Sequence, residues 1–127
     1  MKVLLAILLT FLLSTVTLAQ ETKISVDHSG FEALKAKHSD LLILDVRSPR
    51  EYQSGYIPGA ENIEFSDINT IRKRLKKGQP VILYCRSGRR AGIVAEQLLE
   101  SGYTDVYHLK GDMLEWLAAE KPIVTDP

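Results

Sequence analysis

The sequence is 127 residues long, which fits one domain. Hydrophobic residues make up 45% and charged residues 25%, the usual composition of a globular protein. Basic and acidic residues balance at 16 each, so composition argues against a nucleic-acid partner, and any anion binding must come from a local arrangement of residues.

Residues 1–19 have the pattern of a secretory signal peptide. A lysine near the start precedes an almost unbroken apolar run at residues 3–13, and the small residues Thr17 and Ala19 precede the expected cleavage point. The pattern predicts export of a mature domain, residues 20–127, to the periplasm of a Gram-negative cell or otherwise to the medium. An uncleaved membrane anchor is the alternative, although its length would be near the minimum of about 18 residues and several Thr and Ser residues interrupt it.

From residue 21 onward, short apolar runs alternate with segments of helical pattern. Strands are predicted at residues 24–26, 41–46, 62–63, 81–84 and 106–109. The runs at 41–46 and 81–84 are continuously apolar, as expected for central parallel strands buried on both faces. The alternation predicts an α/β fold: a five-stranded parallel sheet covered by helices on both faces.

Capping residues mark where the intervening helices begin. Ser29 and Glu32 have the spacing of a capping box, and Ser48 and Glu51 have it again around Pro49. Further helices are predicted after Ser66 or Asp67 until Gly78 stops the helix, from Arg90 to Ser101 with Gly102 ending it, and from Asp112, as N-cap, until Pro122 terminates it. For Glu51, capping is the preferred role.

The sequence contains one cysteine, Cys85, so no disulfide can form within the chain. A lone cysteine can be an inert buried thiol, an intermolecular partner or a reactive group. Cys85 opens a loop, residues 85–90, that runs directly from a predicted strand into a helix and contains three arginines and Gly88. Helix N-termini and nearby arginines favour a thiolate, and glycine permits a tight backbone. The loop therefore predicts an anion-handling nucleophile.

Four sequence blocks in order resemble the single-domain rhodanese family, over about residues 25–116. They are L-D-V-R with E-Y at 44–52, G-Y-I-P-G-A with N-I at 55–63, C-R-S-G-R-R at 85–90, and G-Y with the stretch 109–116. The resemblance implies a thiosulfate sulfurtransferase in which Cys85 attacks the donor, becomes a persulfide and passes its outer sulfur to cyanide or a thiol. A protein can also be the acceptor, and no metal or organic cofactor is implied.

The resemblance also assigns roles to individual residues. The substrate-binding residues would be those of the loop, namely Arg86, Ser87, Gly88, Arg89 and Arg90. Their backbone N–H groups would hold the negative sulfur, and Arg86 and Arg90 would attract the anionic donor. Asp45 and Arg47 would brace the loop structurally, without a chemical role.

The chain departs from the family pattern at two positions. Tyr56 stands where a histidine is usual, and Asp112 replaces the second glycine of a pair, placing a carboxylate near the expected pocket. Arg89 occupies the variable loop position and is the predicted specificity determinant. The histidines lie outside the blocks and are expected to be exposed or simply packed: His28, His38 and His108.

Three other functions are compatible with parts of this pattern. Phosphatases and arsenate reductases share the fold, but the resemblance associates them with a loop one residue longer. Inactive rhodanese-like domains typically lack the cysteine. A persulfide carrier or a partner in an exported redox relay, with incidental thiosulfate activity, stays open as the alternative function.

Overall fold

The computed structural model describes residues 23–125, so the predicted signal peptide lies outside the described residues. Five parallel strands form one sheet in the order β1-β5-β4-β2-β3. The strands are β1 (Ile24–Val26), β2 (Leu42–Asp45), β3 (Glu61–Asn62), β4 (Val81–Tyr84) and β5 (Val106–Leu109). The predicted five-stranded parallel sheet is confirmed.

Helices alternate with the strands and cover both faces of the sheet. They are α1 (His28–Lys37), α2 (Pro49–Gln53), α3 (Ile68–Arg74), α4 (Arg89–Glu100) and α5 (Asp112–Ala118). α1 and α5 pack on one face, joined by Tyr52 of α2, and α3 and α4 pack on the other. Within residues 23–125, no helix has both the length and the apolar character needed to cross a bilayer.

The central strands β2 and β4 explain the continuous apolar runs in the sequence. Successive side chains of a strand point to opposite faces, and here each face has its own core. One core buries Leu42, Leu44, Val81 and Leu83, and the other buries Ile43, Ile82 and Tyr84. Because both faces are covered, every position of both strands is buried.

Helices α1 and α3 have boundaries that differ from the predicted ones. The N-cap of α1 is Asp27, whose carboxylate accepts the Gly30 N–H at 2.7 Å and the Ser29 hydroxyl at 3.0 Å. Asp27 supplies the same kind of acceptor two residues earlier, so the predicted capping box at Ser29 is wrong. α3 ends at Arg74, well before Gly78, because Leu75 takes an extended conformation as the C-cap.

Candidate active site

The loop of residues 85–90 lies at the carboxyl edge of the sheet, between β4 and α4. It follows Tyr84, the last residue of β4, and α4 begins at Arg89 with Gly88 as its N-cap. Gly88 has a φ of 115°, in the left-handed region that side chains disfavour. Parallel α/β sheets bind ligands beyond the carboxyl ends of their strands, which is where this loop stands.

The sulfur of Cys85 lies inside the loop, and the charged side chains lie outside. Cys85 is 1% exposed, and its Sγ accepts a hydrogen bond from the Gly88 N–H at 3.0 Å. Arg86 and Arg89 are exposed, and within residues 23–125 neither of them forms a salt bridge. An N–H donor aimed at sulfur stabilises a thiolate, and the two free guanidinium groups offer positive charge to an incoming anion.

Arg90, the last residue of the loop, is held by a carboxylate from another helix. Its guanidinium donates to both oxygens of Glu51, at 2.7 and 3.0 Å. This contact with Arg90 lowers the pKa of Glu51 to about 2, and the same contact raises the pKa of Arg90. The guanidinium of Arg90 is therefore fixed in place, unlike those of Arg86 and Arg89.

Glu51 has two jobs at once. It completes the predicted capping box of α2, accepting from the Ser48 N–H at 3.1 Å while the Ser48 hydroxyl accepts the Glu51 N–H. The capping role is confirmed. The ion pair with Arg90 was missed because the two residues are 39 positions apart in the sequence, and no local pattern connects them.

Asp45 and Arg47 form a buried ion pair at the end of β2. The Arg47 Nη2 donates to Asp45 Oδ2 at 2.6 Å and to the Gly55 carbonyl at 2.8 Å, and the Arg47 N–H donates to Asp45 Oδ1. Burial lowers the pKa of Arg47, but the hydrogen bonds and charge of Asp45 outweigh it, so the net change is upward. Asn62 Nδ2 also donates to the carbonyl oxygens of both residues.

Tyr84 connects this ion pair to the cysteine loop. The Arg47 guanidinium lies 5.7 Å from the centre of the Tyr84 ring, and Tyr84 directly precedes Cys85. The Tyr84 hydroxyl accepts the Ile57 N–H at 3.1 Å, and burial raises the pKa of this phenol. Asp45 and Arg47 therefore do not touch the loop directly; they contact Tyr84, the residue that comes just before it.

Asp112 and His108 lie directly behind the loop. Asp112 Oδ1 accepts the Cys85 N–H at 3.0 Å, and His108 Nε2 lies 2.9 and 3.1 Å from the two Asp112 oxygens. The predicted capping role of Asp112 is wrong: Gly111 is the N-cap of α5, and the Asp112 side chain turns to Cys85. The replaced glycine was the sequence signal for this contact.

The first turn of α5 completes the support of the loop. The N–H groups of Met113 and Leu114 donate to the carbonyl oxygens of Cys85 and Arg86, at 3.0 and 3.1 Å. Orphan N–H groups at the start of a helix need acceptors, and here the loop supplies them. The backbone of the cysteine is thus held through its N–H and its carbonyl by consecutive residues of one helix.

The remaining residues singled out in the sequence lie elsewhere or have ordinary packing roles. Tyr56 stacks on Tyr52, with ring centres 4.0 Å apart. His28 packs edge-on against Trp116, and His38 is the C-cap of α1. Within residues 23–125, no group of three or more His, Cys, Asp or Glu side chains could hold a metal ion.

The chain is similar to proteins that are named as sulfurtransferases. Thiosulfate sulfurtransferase GlpE of Pseudoalteromonas translucida is 36% identical over 80 residues, which are 63% of this chain and 76% of the relative. A protein named sulfurtransferase from Allochromatium vinosum is 31% identical over 99 residues, 78% of this chain and 92% of the relative.

Solved structures and family models point the same way. The crystal structure of a rhodanese-related protein from Thermoplasma volcanium superposes with a TM-score of 0.70 at 23% identity, covering 81% of this chain and 99% of that one. The model of the rhodanese-like domain matches residues 30–119. Since this match spans most of the chain, the protein belongs to the rhodanese-like family.

Proposed function

We propose that the protein is a sulfurtransferase that carries sulfane sulfur as a persulfide on Cys85, with thiosulfate or a similar anion as donor. The observation that carries the proposal is the position of the Cys85 sulfur inside a loop of six residues, with the Gly88 N–H donated to it at 3.0 Å. The sulfurtransferase names of two relatives support the same reaction class.

The first half of the reaction loads the cysteine. The Cys85 thiolate attacks the outer sulfur of thiosulfate, a new S–S bond forms, and the S–S bond of thiosulfate breaks. Sulfite leaves with the electron pair of the broken bond. This is covalent catalysis, which divides the transfer into two steps and gives ping-pong kinetics.

The second half unloads it. A nucleophilic acceptor, cyanide in an assay or a thiol in the cell, attacks the outer sulfur of the persulfide. The persulfide S–S bond breaks, and Cys85 departs as a thiolate ready for another cycle. A thiolate is present at the beginning and the end, so the same N–H donors serve both halves.

The surrounding residues divide the work of binding. The exposed Arg86 and Arg89 attract the anionic donor, and Arg89 distinguishes among donors. Arg90 is fixed by its two hydrogen bonds to Glu51, whose carboxylate also balances its charge. Ser87 and Gly88 provide backbone N–H groups, of which that of Gly88 already points at sulfur.

Phosphate-ester hydrolysis is the competing chemistry for a cysteine loop of this type. A six-residue loop crowds its N–H groups around one sulfur atom and leaves too little room for three equatorial oxygens of a phosphoryl group. Sulfur transfer is therefore favoured over phosphatase activity. The direct test follows thiocyanate formation from thiosulfate and cyanide alongside hydrolysis of an aryl phosphate. Thiocyanate without phosphate release is expected, and the reverse would refute the proposal.

We also propose that the reaction takes place outside the cytoplasm, because residues 1–19 have the signal-peptide pattern. Expression of the full chain in a bacterium with fractionation of the cells tests this directly. The expected product lies in the exported fraction and begins at Gln20 by N-terminal sequencing. A cytoplasmic protein that keeps residue 1 would contradict export, and a membrane-held protein that keeps residue 1 would contradict cleavage.

A further inference from the structure

Three carboxylates stand close to the cysteine loop, and they differ in how their charge is balanced. Asp45 is paired with Arg47 and Glu51 with Arg90, at N–O distances of 2.6 and 2.7 Å. A guanidinium keeps its charge at every pH a protein meets. Each of these two pairs is therefore neutral overall while its carboxylate is ionised.

Asp112 is different because its partner is a histidine. His108 Nε2 lies 2.9 Å from Asp112 Oδ1, and an imidazole is charged only when it is protonated. Histidine is the side chain whose charge ordinarily changes between pH 5 and 8. When His108 is neutral, the carboxylate of Asp112 faces the loop with no compensating charge from its partner.

The Asp112 carboxylate reaches both residues that hold the sulfur. It is 2% exposed, and its Oδ1 accepts the Cys85 N–H. Its Oδ2 would lie 3.0 Å from a Cβ atom placed on Gly88, and Gly88 is the residue whose N–H donates to Cys85 Sγ. A buried like charge at this position disfavours a negative sulfur, since the surrounding protein screens it poorly.

The other charges that face Cys85 act in the opposite direction or are balanced. Arg86 and Arg89 on the loop are exposed, so solvent screens much of their effect. The Glu51 and Asp45 pairs, from α2 and β2, are neutral as described. The charge balance behind the sulfur therefore rests on Asp112 and His108.

We propose that the Asp112–His108 pair is a positioning element that fixes the Cys85 backbone and limits how strongly the loop stabilises negative sulfur. The inference rests on the proposed sulfur transfer, since it concerns the same thiolate. Its consequence is a thiol that ionises but keeps its nucleophilicity, which falls as a thiol becomes more acidic. Asp112 and His108 act on the reaction through Cys85.

The experiment measures the rate of Cys85 alkylation by iodoacetamide as a function of pH. Asp112→Asn keeps an oxygen acceptor for the Cys85 N–H and a polar group beside His108 but removes the charge, so the midpoint of the alkylation profile should fall by roughly one pH unit. His108→Gln removes the positive charge that a protonated His108 places beside Asp112, so the midpoint should rise. A purely structural loosening of the loop would move both midpoints the same way.

One control and a second Asp112 variant complete the experiment. Glu115→Gln removes an exposed carboxylate one turn later on α5 and should leave the midpoint unchanged. Asp112→Gly suits the left-handed backbone at this position, where φ is 53°, and should lower the midpoint as Asp112→Asn does. These two Asp112 variants carry the test if His108→Gln does not fold.

An unchanged or raised midpoint in both Asp112 variants, or shifts of one sign in Asp112→Asn and His108→Gln, would overturn the proposal. Failure of the sulfurtransferase function is a separate result. It appears as the absence of a thiosulfate-dependent mass gain in the unaltered protein, whatever the alkylation midpoints are.

Discussion

The two central strands β2 and β4 end side by side, yet the segments that follow them have opposite properties. After β2, Asp45 and Arg47 are both buried and hydrogen-bonded to each other and to neighbouring backbone. After β4, Cys85 has one N–H aimed at its sulfur and is followed by the exposed Arg86 and Ser87. The charged groups at the end of β2 bind one another and the backbone, whereas the segment after β4 leaves arginine charge and hydrogen-bond donors available to a ligand.

This difference explains how one edge of the sheet can be both rigid and reactive. A buried charge is tolerated when it is paired and hydrogen-bonded, as Arg47 is. Such neighbours hold the cysteine loop in shape, through Tyr84 on one side and Asp112 on the other. The exposed side chains of the loop therefore remain available to a ligand. Changes after β2 should then cost stability, whereas changes after β4 should cost activity.

The largest effect is expected from Cys85→Ser. The change is nearly isosteric, so the fold should persist, but a hydroxyl cannot form a persulfide and sulfur transfer should be abolished. A thiocyanate assay measures the loss of sulfur transfer, and thermal unfolding of the same preparation measures whether the fold persists. Retained transfer in this variant would show that Cys85 does not carry the sulfur.

Asp45→Ala should have the largest effect on stability. It leaves the Arg47 guanidinium buried without a counter-charge, which costs about 3–5 kcal/mol of the free energy of unfolding. Urea denaturation measures the loss. The matched control is Glu61→Ala, which breaks the ion pair between Glu61 and Arg74. Because these two side chains are 47% and 42% exposed, the loss should be no more than about 1 kcal/mol. Equal losses in the two variants would contradict the supporting role of Asp45.

Arg86→Ala and Arg89→Ala should act on donor binding alone. Each removes one exposed charge, so KM for thiosulfate should rise about fivefold, the effect of an interaction of about 1 kcal/mol, with little change in the free energy of unfolding. The effect should shrink at high salt. Lys37→Ala, at the far end of α1, serves as the control. A fall in kcat with constant KM would instead assign these arginines to the transfer step.

The smallest effect is expected for stability at acidic pH, where the Glu51–Arg90 ion pair is lost. The pKa of this carboxyl is lowered from 4.5 to about 2 by Arg90, so its stabilising contribution is present above pH 4.5 and is lost as the pH falls toward 2. Because the pair is partly exposed, this contribution should not exceed about 1 kcal/mol. Glu51→Gln should unfold with a weaker pH dependence in that window than the unaltered protein. An identical dependence would show that the ion pair does not form.

The sequence predicted what depends on local pattern. The strands β2 and β4 are predicted because buried parallel strands leave unbroken apolar runs, and the capping box at Ser48 is predicted because its partners are three residues apart. Contacts across the fold could not be read this way. The Asp112 carboxylate meets the Cys85 N–H from 27 positions away, and its departure from the family glycine marked the position without revealing the partner.

Local pattern also failed where two residues offered the same chemistry. Asp27 and Ser29 both carry an oxygen able to cap α1, and Ser29 has the better match to a capping box. The aspartate prevails because β1 ends at Val26, which places Asp27 at the turn into the helix. Strand length, set by pairing with β5, thus decided a helix boundary.

Mass spectrometry of the intact protein can detect the persulfide on Cys85 itself. After treatment with thiosulfate, we expect a mass gain of one sulfur, located on Cys85 by peptide analysis and removed by cyanide. Cys85→Ser should show no gain, and aryl phosphates should remain intact. A protein that never gains sulfur but hydrolyses aryl phosphates would contradict the account, because the cysteine loop would then handle a phosphoryl group.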